Sequence, residues 1–206
     1  MSLVFEKNKD VNLIVEQGNS STKVAVVKDW KVVASFVYRV FNKDVLASLF
    51  RSYPLDKGIF STVTAVDEDV VAYLESHLSR FVFFDSQVKL PITIEYKTPA
   101  TLGKDRIAAV VGAYHYQPGR NLLVIDAGTC ITYEVVEAAG RYIGGNISPG
   151  MTTRFKALEH YTSKLPYVEE TDDVPCIGQS TEEAIQAGVV NGIVYEMDGF
   201  IEQMKQ

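Results

Sequence analysis

A short pattern that occurs twice constrains the fold of this chain more than any other feature. The segment from Leu13 to Asn19, LIVEQGN, aligns with the segment from Val124 to Thr129, VIDAGT. Each is an apolar strand-like run that ends in a carboxylate, a spacer, a glycine and a small polar residue, and a second β-branched run follows each. One copy is typical of an ordinary hairpin. Two copies, each opening a half of the chain, indicate a duplicated unit.

The periodicity of apolar residues predicts a βββαβαβ order in the first half. We expect strands at 11–15, 22–27, 31–38, 58–63 and 81–84, and helices at 43–52, where Asn42 is a candidate N-cap, and at 67–78. A further helix is expected to begin near Asp105, and the second half then opens with strands at 121–126, 130–137 and 141–148. Helices are then expected at 151–160 and from Ser180, which has capping-box spacing to Glu183, up to Gln206. The chain is therefore predicted to be an α/β protein.

Composition and charge exclude several classes of function. The 20 basic residues are scattered among 26 acidic ones, for a net charge of −6, which argues against a nucleic-acid-binding surface. No apolar window has the length of a membrane span, and the N-terminus does not resemble a signal peptide. Cys130 and Cys176 lie far apart and are expected to be reduced thiols. We expect a cytoplasmic protein that binds neither nucleic acid nor membrane.

The chemistry of the repeated turn favours phosphate binding. A glycine lets the backbone bend sharply and brings main-chain N–H groups close to a phosphate. The carboxylate at the end of the strand can hold a cation or its water shell. After the first turn, the ammonium group of Lys23 could reach a polyphosphate.

Five motifs in register resemble those of type III pantothenate kinases, within the superfamily of actin, sugar kinases and heat-shock ATPases. The segment Gly103 to Arg106 is similar to the family's G-x-D-R motif, and Asp126 to Thr132 is similar to D-x-G-T-x-x-T. The segment Gly144 to Gly150 matches G-G-x-I-x-P-G, which lies near the nucleotide in the family. Leu165-Pro166 and the segment Thr181 to Gly188 also fit. The resemblance runs from about Asn12 to the C-terminus.

The resemblance implies the fold and its division. We expect duplicated ribonuclease-H-like βββαβα lobes with an interlobe nucleotide cleft. The N-terminal actin-like ATPase lobe is expected over 1–118 and the C-terminal one over 119–206, the latter lacking its last strand and helix.

The implied function is the ATP-dependent phosphorylation of pantothenate to 4′-phosphopantothenate, the first step of coenzyme A biosynthesis. The resemblance implies ATP, Mg²⁺ and a monovalent cation, K⁺ or NH₄⁺, as cofactors, and a homodimer as the assembly. The apolar face of the last helix, from Ile185 to Met204, could form the dimer interface or could cover the C-terminal sheet.

The resemblance also assigns site residues. Asp105 is the expected catalytic base, and Asp126 the expected ligand of the monovalent cation. The residues expected to bind ATP are Glu16, Gln17, Gly18, Asn19, Ser20, Ser21, Thr22, Lys23 and Thr129. The residues expected to bind pantothenate are Tyr96, Gly103, Lys104, Asp105, Arg106 and Thr181, with Arg106 pairing with the substrate carboxylate.

Each of these assignments has a structural alternative. Asp105 could merely interact with a helix dipole, Arg106 could form a surface ion pair, and Thr181 could cap a helix. Glu16 also stands where the family usually has aspartate, which moves the charge about 1.3 to 1.5 Å further from the strand. The alternative functions are therefore a non-catalytic regulator or accessory transcription factor on the same scaffold, or a kinase of another small polyol.

Overall fold

The computed structural model describes residues 11–205, which form two compact units. The first extends to Lys89 and the second begins at Leu90. The predicted helix end at Gln206 lies outside the described residues. Within the described part of the chain, no helix combines the length and the apolar character needed to cross a bilayer.

The first unit is a five-stranded sheet with two helices. Its elements are β1 (Val11–Gln17), β2 (Thr22–Lys28), β3 (Lys31–Tyr38), α1 (Lys43–Ser52), β4 (Leu55–Thr62), α2 (Glu68–His77) and β5 (Arg80–Phe83). The strand order is β3-β2-β1-β4-β5. Strands β1 to β3 pair antiparallel, whereas β4 pairs parallel to β1 and to β5. This is the ribonuclease-H-like arrangement that the sequence predicted.

Both helices of the first unit start where the sequence supplies a cap. Asn42 Oδ1 accepts a hydrogen bond from the Val45 N–H at 3.1 Å, which confirms the predicted N-cap. Asp67 Oδ1 accepts from the N–H groups at the start of α2. The apolar faces of the two helices share one core with the sheet, whose fully buried members include Leu13, Val15, Val24, Val26, Leu46, Phe60, Val70 and Leu74. β1 is the central strand of this sheet, and Glu16 and Gln17 at its C-terminal end lead into the first turn.

The second unit is a four-stranded sheet with three helices. Its elements are β6 (Thr93–Ile94), α3 (Lys104–Tyr116), β7 (Leu122–Ala127), β8 (Cys130–Val136), β9 (Arg141–Pro149), α4 (Met151–Tyr161) and α5 (Thr181–Met204). The strand order is β6-β9-β8-β7, with β7, β8 and β9 antiparallel and β6 parallel to β9. The three antiparallel strands repeat the β1–β3 meander, as predicted. Among the described residues β7 is an edge strand, whereas its counterpart β1 pairs with β4.

The division into compact units differs from the lobe boundary expected from the sequence. Helix α3 packs on β7 and β8, and Val110 of this helix shares a core with Leu102, Val136 and Tyr142. Residues 90–118 therefore pack with the second unit, although we assigned them to the first lobe. The lobe limits 1–118 and 119–206 stay a prediction.

A polar network fastens the last helix to the second sheet. Glu196 of α5 accepts hydrogen bonds from the hydroxyls of Tyr133, at 2.7 Å, and Ser148, and from Arg154 Nη2. Phe200, one turn further along, packs on the Tyr133 ring with the centroids 4.2 Å apart. Burial opposes ionisation of Glu196, but these donors together lower its pKa below the ordinary value. Burial, followed by the bond to Glu196, raises the pKa of Tyr133 to about 12.

The two faces of α5 differ in burial. Ile185 and Val189 are buried in a core with α4, whereas other apolar residues of the helix are exposed.

We predict that Glu196→Gln lowers the free energy of unfolding by about 1–3 kcal/mol at neutral pH, because it weakens hydrogen bonds to a charged acceptor. The folded-state pKa of Glu196 is lowered from 4.5, so this stabilisation exists above that value and is lost as pH falls through the folded-state pKa. Urea unfolding at a series of pH values measures the difference between the two proteins. Glu202→Gln is the control, since Glu202 lies on the same helix and is exposed in its pair with Lys205. An E196Q deficit that persists unchanged at pH 3 would contradict this account.

Candidate active site

The first turn joins β1 to β2 and carries the predicted ATP-binding residues. The Gly18 N–H donates to the Ser21 carbonyl at 2.9 Å, so this N–H closes the turn instead of facing a phosphate. Asn19 and Ser20 at the tip are exposed. Glu16 and Lys23 are opposite each other in the β1–β2 register, with Lys23 Nζ 3.6 Å from Glu16 Oε2 and both side chains more than half exposed. The carboxylate and the ammonium are therefore both presented to solvent beside the turn.

Two neighbours of this turn face the interior of the first unit. Thr22 is 3% exposed, so its side chain is packed and only its backbone borders the turn. Gln17 is half-buried, and its Oε1 atom is buried without a hydrogen-bond partner among the described residues. An unsatisfied buried oxygen is costly unless a donor approaches it. Gln17 lies on the core face of β1, so the group of this turn that can take part in cation binding is the exposed Glu16 carboxylate on the opposite face. A carboxylate oxygen is a ligand that Mg²⁺ takes together with waters, so the turn fits a hydrated Mg²⁺.

The second turn joins β7 to β8 and is fastened to the start of α4. The Gly128 N–H donates to the Cys130 carbonyl at 2.9 Å, which closes the turn. The Thr129 carbonyl accepts from the Gly150 N–H at 3.0 Å and from the Thr153 hydroxyl at 2.8 Å. A Cβ at Gly150 would lie 2.0 Å from the Gly128 carbonyl oxygen. The glycine that ends the G-G-x-I-x-P-G segment is therefore what allows this close approach.

The exposed side chains of the second turn are Asp126 and Thr129. Beside them lies a cavity of about 380 Å³, within the second unit and with mostly apolar walls. Its lining residues are Ala127, Gly128, Ile131, Met151, Thr152, Glu170, Val190, Ile193 and Val194. An apolar pocket of this volume, next to the turn that the sequence predicts to bind phosphate, has the composition of a small-molecule site.

The start of α3 holds Asp105 in an exposed position. Asp105 Oδ1 accepts from the Arg106 N–H at 2.9 Å, and the helix begins directly after Gly103, its N-cap. A Cβ at Gly103 would lie 2.4 Å from Asp105 Oδ1. The glycine of the G-x-D-R segment thus leaves the space that the Asp105 carboxylate occupies. Lys104 is the first residue of the helix.

Arg106 is buried, at 7% exposure, in contrast to the surface ion pair considered from the sequence. Its Nε and Nη2 donate to the two carboxylate oxygens of Glu134 at 2.6 and 2.8 Å. The hydrogen bond to Glu134 raises the pKa of Arg106 above its ordinary value, against the lowering effect of burial. The planar fork expected to clamp a substrate carboxylate is therefore occupied by Glu134. A substrate contact by Arg106 stays a prediction.

The remaining predicted substrate residues belong to the same unit. The Tyr96 ring lies over the Arg106 guanidinium, with the Arg106 Cζ 5.6 Å from the ring centroid. Thr181 is exposed at the first position of α5. The cap of this helix is Ser180, whose hydroxyl oxygen accepts from the Glu183 N–H at 3.2 Å, so capping does not require the Thr181 side chain. The structure brings Tyr96, Gly103, Asp105 and Arg106 together, whereas the two glycine turns are described each within its own unit.

Sequence reasoning missed Glu134 altogether. It is a charged residue in the middle of the apolar strand β8, CITYEVV, and the structure buries it completely. Charged residues are rarely fully buried unless they are paired. A single glutamate inside a mostly apolar strand is the sequence feature that could have indicated a buried, paired carboxylate.

The two units define the class of protein. A ribonuclease-H-like sheet in one unit, its repeated meander in the other, and a carboxylate–x–glycine turn in each are typical of the phosphotransferases and ATPases of the actin-like superfamily. The model of the type III pantothenate kinase family matches residues 12–203. The chain therefore belongs to the type III pantothenate kinases.

Individual relatives agree with this assignment. A type III pantothenate kinase of Phocaeicola vulgatus is 44% identical over 196 residues, covering 95% of this chain and 81% of that protein. One of Bacteroides fragilis is 44% identical over 195 residues, with 95% and 80% covered. One of Porphyromonas gingivalis is 43% identical over 196 residues, with 94% and 80% covered.

We predict that Gly150→Ala destabilises the second turn, because its Cβ would meet backbone oxygens that cannot rotate away. The expected loss is about 1–3 kcal/mol in the free energy of unfolding, measured in urea. Gly188→Ala is the matched control, since a Cβ at Gly188 meets nothing within 4 Å and alanine favours a helix interior. Equal stability of the two variants would show that the close approach is not required.

Proposed function

We propose that this chain transfers the γ-phosphate of ATP to the hydroxyl group of pantothenate, the first step of coenzyme A biosynthesis. The observation that carries the proposal is the exposed carboxylate of Asp105, beside Tyr96 and Arg106, in a chain that belongs to the type III pantothenate kinases. The exposed Asp105 is free of the ion pairing that engages Arg106, and an exposed carboxylate is the kind of group that can accept a proton from an alcohol.

The bonds that form and break in this phosphoryl transfer determine which roles the residues of the site must perform. The substrate hydroxyl oxygen forms a bond to the γ-phosphorus, the bond from that phosphorus to the β–γ bridging oxygen breaks, and ADP leaves. Asp105 accepts the hydroxyl proton as the new bond forms. Such a transfer depends mainly on positioning and on charge neutralisation. The cluster at the start of α3 supplies the first of these for the acceptor.

The two turns are proposed to hold the nucleotide. Glu16, Lys23 and the exposed tip of the first turn would contact the phosphates, together with Thr129 of the second. The apolar cavity beside Gly128 fits the base and ribose. Mg²⁺, when bound with ATP, neutralises charge on the phosphates. Mg²⁺ is commonly bound by one or two carboxylates together with substrate phosphates, and Glu16 is the carboxylate of the first turn that could serve in this way.

Three further features are part of the proposal. Asp126 is exposed beside the second turn and is proposed to hold a monovalent cation, K⁺ or NH₄⁺. A cytoplasmic location accords with a coenzyme A precursor as substrate. A homodimer is proposed because three apolar residues of α5, Tyr195, Ile201 and Met204, are exposed along the helix, away from its buried face. Sedimentation velocity showing only monomer at micromolar concentration would count against the dimer.

The proposed activity is tested by a coupled assay of ADP release from ATP and Mg²⁺, with and without pantothenate, in potassium and in sodium buffers. We expect turnover that requires pantothenate and that is faster with potassium. Absence of turnover, with ATP still raising the melting temperature, would indicate a non-catalytic regulator on this scaffold. Turnover with another small polyol in place of pantothenate would change the substrate assignment.

We predict that Gly103→Ala lowers kcat about 100-fold, because the new Cβ displaces the Asp105 carboxylate by about 1 Å. The carboxylate can rotate aside, so the variant should fold, with a loss of up to about 1 kcal/mol at the N-cap. Asp105→Asn gives the reference for complete loss of the base, about 10²- to 10⁴-fold. Gly112→Ala in the same helix is the control, since a Cβ there meets nothing within 4 Å. If G103A retains the wild-type kcat, the position of the carboxylate does not limit the reaction.

A further inference from the structure

Arg106, Glu134 and Tyr142 form a closed, buried polar cluster. Arg106 donates two hydrogen bonds to the Glu134 carboxylate and one, at 3.0 Å, to the Tyr142 hydroxyl. The Tyr142 hydroxyl in turn donates to Glu134 Oε2 at 2.6 Å. Glu134 is 0% exposed and Tyr142 is 2% exposed. Each member therefore holds the other two, and the guanidinium has one fixed orientation.

A buried ion pair of this kind is weak evidence for a contribution to stability. The cost of removing two charges from water is often as large as the attraction gained, so apolar residues of the same volume can serve the fold equally well. What such a pair does provide is orientation, because two parallel hydrogen bonds fix both the position and the plane of the guanidinium. The cluster is thus better suited to holding Arg106 in place than to holding the unit together.

The first two glycines of the G-G-x-I-x-P-G segment border the same cluster. A Cβ at Gly145 would lie 2.2 Å from the Tyr133 carbonyl oxygen and 2.4 Å from Glu134 Oε2, so this glycine leaves space for the β8 backbone and for the Glu134 carboxylate. Gly144 has φ +131°, a conformation that favours glycine, and an added Cβ would lie 3.8 Å from the Tyr96 ring. The first part of this segment therefore builds the surroundings of Arg106 and Tyr96, whereas Gly150 at its end serves the second turn.

Arg106 connects the buried cluster to two of the predicted substrate-binding residues, Tyr96 and Asp105. The guanidinium lies against the Tyr96 ring, and the Arg106 N–H donates to Asp105 Oδ1. Moving the Arg106 side chain therefore disturbs the Tyr96 ring directly, and it reaches Asp105 through the Arg106 backbone, whose N–H holds the Asp105 carboxylate. We propose that Glu134, together with Tyr142, is a positioning residue that sets Arg106, and through it Tyr96 and Asp105, for the acceptor substrate. The inference rests on the proposed kinase function.

The test compares two buried tyrosines that each donate to a glutamate. Tyr142→Phe removes the hydroxyl that joins Glu134 and Arg106, and Tyr133→Phe removes the hydroxyl that donates to Glu196, outside the cluster. We expect Y142F to raise KM for pantothenate and to lower kcat, with about a tenfold loss in kcat/KM, while KM for ATP stays unchanged. We expect Y133F to keep wild-type kinetic constants. A purely structural role would lower the folded fraction of both variants and would leave KM for pantothenate unaltered in both.

Glu134→Gln is the second variant, since it keeps the shape of the side chain and removes its charge. We expect about a 100-fold loss in kcat/KM for pantothenate with unchanged KM for ATP. Urea unfolding of all three variants measures the folded fraction, so that the kinetic constants refer to folded protein. If E134Q does not fold, Y142F alone decides the question.

The outcomes separate this inference from the proposed function. Wild-type protein that turns over pantothenate, together with Y142F kinetics equal to those of Y133F, overturns the positioning role and leaves the kinase function standing. Wild-type protein without pantothenate turnover overturns both. A rise in KM for ATP as large as that for pantothenate also contradicts the inference, because the cluster would then act on the whole protein and not on the acceptor side.

Discussion

The buried ion pair between Arg106 and Glu134 is the interaction that fixes the surroundings of Asp105 and Tyr96, where the acceptor is proposed to bind. It joins the first turn of α3 to the middle of β8, and the Tyr142 hydroxyl ties both to β9. Removal of one partner would leave a buried charge without compensation, which typically costs about 3–5 kcal/mol. The helix that carries Asp105 is therefore attached to the sheet by a contact that tolerates little change, although a continuous apolar contact could have provided comparable stability.

Glycines recur wherever this unit requires two groups to approach more closely than a Cβ allows. Gly103 makes room for the Asp105 carboxylate, Gly145 for the Glu134 carboxylate, and Gly150 for the carbonyl oxygens of the second turn. At Gly103 and Gly150 the backbone angles are open to other residues, so the constraint is space and not conformation. At Gly144 the constraint is conformational, because φ is +131° and the nearest ring atom would be at an ordinary contact distance from an added Cβ. Gly140 combines both causes, since φ is +75° and an added Cβ would lie 3.1 Å from the Tyr114 ring.

The glycine turns, the Arg106 cluster and the Glu196 network differ in their contacts, and these contacts indicate different roles. The turns present exposed carboxylates, hydroxyls and an ammonium, which suits the binding of mobile, hydrated phosphates. The proposed acceptor side combines the exposed Asp105 with the buried, mutually hydrogen-bonded Arg106, Glu134 and Tyr142. Such an arrangement suits a neutral hydroxyl that must be oriented with respect to one carboxylate. Glu196 performs a third task, since its network with Tyr133, Ser148 and Arg154 attaches α5 to the sheet.

The sequence by itself determined the order of the elements, the caps at Asn42 and Ser180, the repeated carboxylate–x–glycine turns and the family, because all of these depend on neighbours within a few residues. It missed the two-residue strand β6, which has too few residues to show a period and exists only through its pairing with β9. It also gave no sign that Arg106 pairs with Glu134 or that α3 packs on β7 and β8. Only the tertiary structure shows these contacts, because Glu134 lies 28 residues from Arg106 and the two strands follow α3 in the chain. A contact between residues far apart in the chain produces no periodic pattern of apolar residues, so it can be identified only in the folded structure.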